Sequence, residues 1–214
     1  MKKAAARPPG RPRGFDVDSA LDAATQVFWA RGYSDASLDD LTAAMAISRP
    51  SLYGAFGDKQ ALYLKCIARY RGWVLGAIGA TLADAADPPN ALRRMFAEAI
   101  ALYTAPAPEP RGCLLASASV SEAPLSPESR ESVALALASV EAVLADFFHR
   151  AGLAPDGAAE RARLTATFLY GISGRARLGV NAQILRDDVG RFVALLDWGR
   201  RGPAPIDADR DNIA

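Results

Sequence analysis

Residues 45–59, MAISRPSLYGAFGDK, combine two kinds of side chain on a stretch barely long enough for two helical turns. Met45, Ile47, Leu52 and Phe56 are apolar and suit burial. Ser48, Arg49, Ser51, Tyr53 and Lys59 are donors, and their chemistry is hydrogen bonding to an electron-rich surface. A guanidinium such as that of Arg49 forks onto a guanine edge or a phosphate. Ser51 can bond either a base or a phosphate, and Tyr53 and Lys59 suit phosphate. A helix start at Ser48 adds free first-turn amides, which favour an anion. Catalytic spacing is not found. His149 is the only histidine, no metal-ligand spacing is evident, and no nucleophile–base pair stands out, so an enzyme, a metal site and a cofactor are not expected. Gly54-x-x-Gly57-x-Lys59 lacks the glycine spacing and the following Ser/Thr of a phosphate-binding loop.

Those donors need a scaffold, and helical periodicity dominates the chain while strand alternation is nearly absent. An all-α fold is predicted. Asp16 or Asp18 caps a first helix with Leu21, Ala24, Val27 and Phe28 on one stripe, and Gly32 ends it. Ser37-Leu38-Asp39-Asp40 has the form of a capping box and opens a second helix, with Leu38, Leu41 and Met45 inward. Ala46-Ile47 makes a tight turn, Ser48 caps a third helix, and Pro50 is tolerated in its first turn. Asp58 caps a fourth, which runs to about Leu82. Two short helices joined by so short a turn have the spacing of a helix-turn-helix, whose second helix enters the DNA major groove. Further helices are predicted at about 91–103, 126–150, 157–179 and 186–199, with a Pro-rich loop at 105–112 and a short apolar segment from Cys113 to Val120. The expected organisation is a basic arm at 1–14, a DNA-binding head at 15–60, a helical body at 61–201 and a frayed tail at 202–214.

Charge supports that division. Net charge is only +1. Residues 1–71 hold 11 Lys+Arg against 7 Asp+Glu, a net of +4, and the remainder holds 14 against 17, a net of −3. A basic N-terminal part on a mildly acidic body fits an anion-binding module. Arg11 and Arg13 in the arm either contact the minor groove or phosphates, or belong to a solvated tail. Two cysteines are too few for a disulfide framework, so a reducing cytoplasm is expected. The apolar region Val133 to Phe148 is interrupted by Ser139, Glu141 and Asp146, which argues against a membrane span, and Pro-Pro-Gly-Arg-Pro-Arg follows Lys2 and Lys3 where a secretory leader has an apolar region.

Residues 20–67, ALDAATQVFWARGYSDASLDDLTAAMAISRPSLYGAFGDKQALYLKCI, resemble the TetR/AcrR family of transcriptional regulators. The similarity runs through Phe-x-x-x-Gly-Tyr at a helix end, Ser37 at the next helix start, Leu41, Ala44 and Ile47-Ser48 around the turn, Ser51-Leu52-Tyr53-x-x-Phe56, and Lys59-x-x-Leu62. The family commonly has glycine in the turn where this chain has Ala46. The resemblance implies a ligand-responsive homodimer, by default a repressor, that binds a palindromic double-stranded DNA operator. Its DNA-binding set here comprises Arg11, Arg13, Ser37, Ser48, Arg49, Ser51, Tyr53 and Lys59. It also implies that the last two long helices pair with their copies, which places Leu164, Phe168, Ile172, Val189, Phe192, Val193 and Leu196 at a dimer interface. A small-molecule effector then enters the body, tilts the fourth helix and shifts the heads apart.

Trp73, Phe96, Tyr103, Cys113, Phe147 and Tyr170 are candidates for the effector pocket, alongside a reading of the aromatics as core. Cys66 shares a stripe with Leu62, Tyr70 and Trp73 and reads as a core thiol. Cys113 is either a small buried hydrophobe or a redox- or electrophile-sensing thiol, since Arg111 and a helix start are surroundings that activate thiols. That sensor is one alternative to a non-covalent effector. A helical protein-interaction module without DNA binding is another, and the donors of residues 48–59 argue against it. Gly72-x-x-x-Gly76 reads as close helix packing, and His149 as a helix C-terminal cap.

Overall fold

The computed structural model describes residues 14–83, 86–105, 110–121, 126–196 and 198. Among these, every regular element is an α-helix: α1 Val17–Asp35, α2 Leu38–Met45, α3 Arg49–Phe56, α4 Lys59–Thr81, α5 Pro88–Tyr103, α6 Leu114–Ser121, α7 Pro127–Arg150, α8 Pro155–Arg177 and α9 Ala182–Leu195. Two compact units divide between Cys66 and Ile67, inside α4.

The first unit is built by local caps. Asp16 accepts from the Ser19 amide at 2.6 Å and starts α1. Gly32 takes φ 76°, ψ 176° and breaks its helical course, the conformation the sequence reserves for a glycine. Ala20, Ala24, Phe28 and Trp29 are buried along α1, with Leu41, Met45, Leu52, Phe56, Leu62, Tyr63 and Cys66 from α2 to the start of α4. Phe28 meets Tyr63 edge-on at 5.1 Å, and Phe15 packs at 6.4 Å from Phe56. Leu38, expected inward, is half-buried. The Cys66 thiol points to the Leu21 carbonyl at 4.0 Å and is a core group.

In the second unit α7 lies along α8, and α5 along α9. Helix starts differ from the predicted ones because a cap, a proline or both set each of them. Asp87 caps α5 ahead of Pro88, Pro155 opens α8, and Asn181 accepts from the Gln183 amide at 2.7 Å to start α9. Among the described residues α7 is the one helix long and apolar enough to cross a membrane by length and composition. It buries Val133, Ala136, Val140, Leu144, Phe147 and Phe148. In its last turn His149 Nδ1 lies 3.1 Å from the Leu153 carbonyl past the helix end, the Ala151 amide bonds the Phe147 carbonyl, and Gly152 follows at φ 98°. Arg150 donates to the Leu82 and Ala83 carbonyls at the end of α4.

The stripe expected at a dimer interface splits. Ile172, Val189, Val193 and Leu196 are buried inside the chain itself. Phe168 and Phe192 stack at 4.1 Å, and both set their rings edge-on to the buried Phe96. The first four therefore pack the body's own core, while Phe168 and Phe192 are half-buried, because helical periodicity marks an apolar face without saying which neighbour covers it. Leu164 alone of the set is exposed, at 52%.

Candidate nucleic-acid interface and effector cavity

The helix-turn-helix is assembled by three short-range devices. Ser37 and Asp40 close a capping box. Ser37 Oγ accepts from the Asp40 amide at 3.0 Å and donates to Asp40 Oδ2 at 2.6 Å, while Oδ2 also accepts from the Ser37 amide at 3.1 Å. Those bonds, led by the hydroxyl and aided by Arg31 at 2.8 Å, hold the Asp40 carboxyl below the usual aspartate range. Without DNA the Ser37 hydroxyl is thus engaged within the capping box.

The turn follows α2 as a Schellman motif. The Ile47 amide donates to the Thr42 carbonyl at 3.1 Å and the Ala46 amide to the Ala43 carbonyl at 3.2 Å. Ala46 occupies the left-handed position, φ 53°, ψ 40°, and is the only described non-glycine residue with positive φ. Ser48 then caps α3, accepting from the Ser51 amide at 3.3 Å. The Ser48 and Ser51 hydroxyls lie 2.9 Å apart, so one donates to the other and the second keeps its proton for an outside acceptor.

On α3, Leu52 and Phe56 are buried at 0% and 2% exposure. One helical turn apart on the opposite face stand Arg49 and Tyr53, the latter 49% exposed. Arg49 Nε and Nη2 both donate to Asp39 Oδ1, at 3.2 and 2.7 Å. Lys59 is half-buried and already engaged. Its ammonium sits 4.5 Å from the centre of the Tyr33 ring and donates to the Ser34 carbonyl at 3.4 Å. Lys65, which sequence reasoning passed over, donates to the Phe56 carbonyl at 2.7 Å and closes the end of α3. Arg11 and Arg13 lie outside the described residues.

A cavity of about 350 Å³ opens in the second unit between α4, α5 and α8, with walls that include Tyr70, Trp73, Ile78, Met95, Tyr103 and Leu169. Glu98 is the one charged residue among its described lining, and its carboxylate accepts from Thr81 Oγ1 at 2.6 Å. Of the expected pocket set, Trp73 and Tyr103 line this space. Phe96 belongs to the Phe168–Phe192 cluster, and Phe147 packs on Phe148 and Trp198. Both are fully buried core rings, so a pocket role for them is corrected.

Cys113 sits behind the cavity wall at 3% exposure. Tyr70 Oη donates toward its Sγ at 3.7 Å, and its amide donates to Ser173 Oγ at 2.7 Å. Burial, and then the neighbouring Cys113, push the phenols of Tyr70, Tyr103 and Tyr170 upward, so all three stay protonated. The Tyr170 hydroxyl is buried and finds no hydrogen-bond partner among the described residues.

A short helix held on an apolar partner, with donors on its open face, in a chain whose second unit is also all-helical, defines the class of helix-turn-helix transcriptional regulators. The description "Bacterial regulatory proteins, tetR family" fits residues 20–66. A structure of a CifR cysteine variant, a TetR family transcriptional regulator complexed with 26-base-pair operator DNA, matches with a TM-score of 0.78 and 34% identity, covering 87% of this chain and all of that one. The chain is 44% identical over 61 residues to the transcriptional repressor ComR of Escherichia coli K12, covering 28% of this chain. It is 32% identical over 104 residues to the repressor BdcR of the same organism, covering 49% of this chain. These matches span 29% of ComR and 53% of BdcR. The chain belongs to the TetR family of transcriptional regulators, DNA-binding proteins and not enzymes.

Proposed function

We propose that this protein is a cytoplasmic, homodimeric repressor that grips a palindromic operator with α3 and releases it when a small molecule enters the body. The carrying observation is the division of α3 into a buried face, Leu52 and Phe56, and an open face, Arg49 and Tyr53. Gly54 adjoins that open face with nothing within 4 Å of where a Cβ would stand, so the backbone there can approach a phosphate closely. Operator DNA in the CifR complex supports the same partner here. Exposed Leu164, Ile184 and Leu195 on α8 and α9 give a second copy an apolar surface. In a two-fold dimer the recognition helices must stand about 34–36 Å apart to enter successive major grooves. Ligand binding acts by favouring a different spacing.

The cavity lining supports one kind of effector. Its walls are aromatic and aliphatic, and its one described charge is the Glu98 carboxylate, so it suits an apolar molecule that is neutral or cationic and disfavours an anion. A second reading rests on Cys113, whose thiol touches the hydroxyl of cavity-lining Tyr70: an electrophile admitted to the cavity would alkylate it and trigger release. Labelling of the native protein followed by mass spectrometry separates the two. A Cys113 thiol protected until denaturant is added leaves the non-covalent effector.

Selection of bound sequences from a random DNA pool tests the main reading. An inverted repeat with half-sites about one helical turn apart is expected. A pool that returns no enriched sequence would overturn it.

A further inference from the structure

We propose that Asp39 is a specificity-determining residue: it clamps one edge of the Arg49 guanidinium and thereby aims the other edge at a base. Asp39 lies in the first turn of α2 and Arg49 in the first turn of α3, ten residues on. A single carboxylate oxygen, Oδ1, receives both Nε at 3.2 Å and Nη2 at 2.7 Å. A guanidinium has five N–H donors. The contact with Asp39 uses the Nε side, which leaves both Nη1 protons and the second Nη2 proton pointing away. That remaining pair of nitrogens is the fork that matches guanine O6 and N7.

The pair is not a fold staple. Arg49 is 54% exposed and Asp39 79%, and solvent-exposed ion pairs contribute little to stability. Its consequence is in recognition. An unclamped Arg side chain must be ordered when it binds, whereas a clamped one arrives ordered. A carboxylate beside the reading face also repels phosphates. It therefore penalises DNA on which Arg49 finds no matching base, and this raises the ratio of specific to non-specific binding. Asp39 thus sets discrimination without itself contacting a base.

This inference rests on α3 being the base-reading helix, and the experiment separates the two. Binding is measured for wild type, Arg49→Ala, Asp39→Ala, Asp39→Asn and the Asp39→Ala/Arg49→Ala double variant. The probes are the pool-selected operator, a set carrying single base-pair changes, and random-sequence DNA. Arg49→Ala should flatten preference at one base pair per half-site. Asp39→Ala should lose about ten-fold of the discrimination at that same base pair, and bind random-sequence DNA about three-fold more tightly. Asp39→Asn, which keeps an acceptor and loses the charge, should fall between. The double variant should discriminate no worse than Arg49→Ala. A change of preference after Arg49→Ala with none after Asp39→Ala overturns the inference alone, as does an Asp39 effect at a different base pair. No effect of Arg49→Ala at any position overturns the reading of α3 as well. Unfolding curves accompany each variant, and a purely structural Asp39 would move those while leaving base preference intact.

Discussion

Ala46→Gly should stabilise the DNA-binding head. Ala46 sits at φ 53°, ψ 40° between α2 and α3, with its amide and that of Ile47 bonded back into α2. A Cβ in this left-handed region costs about 1–2 kcal/mol. Glycine removes that strain but adds freedom to the unfolded chain, which offsets about 0.4–1 kcal/mol. Ala46 is exposed, so no packing is lost with its methyl group. The net gain is about 0.5–1 kcal/mol, equivalent to a two- to five-fold smaller open population at about 1.4 kcal/mol per decade. Amide hydrogen exchange at Leu41, Met45 and Leu52 reads this population directly, since these residues pack the two helices. Exchange that slows by that factor on α2 and α3 is the expected outcome. Faster exchange would show that the turn carries no left-handed strain, and the Schellman geometry would be refuted.

Gly112→Ala should be far more disruptive than Gly179→Ala. Both residues have positive φ, but a Cβ at Gly112 would meet the Ser173 carbonyl oxygen at 2.8 Å, whereas nothing lies within 4 Å at Gly179. Gly179→Ala should cost about 1–2 kcal/mol from backbone strain alone, and Gly112→Ala about 1–3 kcal/mol more from overpacking; equal urea midpoints would contradict the contact. Leu164→Asp, on exposed α8 surface, should yield a folded monomer by light scattering, whereas Phe192→Asp should destabilise the body, because Phe192 stacks on Phe168 and meets buried Phe96 edge-on. A folded Phe192→Asp monomer would put that ring back at the interface. Removing residues 1–13, with Lys2, Lys3, Arg7, Arg11 and Arg13, should weaken DNA binding and reduce the slope of log affinity against log salt. An unchanged slope would make the arm a passive tail.

What the residues disclose on their own is largely what is local. Asp16, Ser37, Ser48, Asp58 and Ser126 each accept the amide three positions on, so the starts of five helices are legible one by one. The head is legible for the same reason, since its turn and both its short helices are specified within about twenty residues. Placement that depends on distant partners is hidden. Phe168 and Phe192 form an apolar stripe whether they face a second copy or Phe96. Cys113 is covered by α4 and α8, and neither is near it in sequence. That the Lys59 ammonium sits over the Tyr33 ring, 26 positions earlier, is not legible from its own stretch. The Asp39–Arg49 clamp joins two helices across the turn, and no periodicity within either helix announces it.

The most direct test of α3 as the reading helix is equilibrium binding of Arg49→Ala and Tyr53→Phe to the selected operator and its single base-pair variants. Arg49→Ala should relax preference at one base pair in each half-site, costing about 1–3 kcal/mol there. Tyr53→Phe should weaken every sequence alike, as loss of a backbone contact does. Wild-type affinity and wild-type base preference in both variants would contradict the assignment of this helix to the DNA.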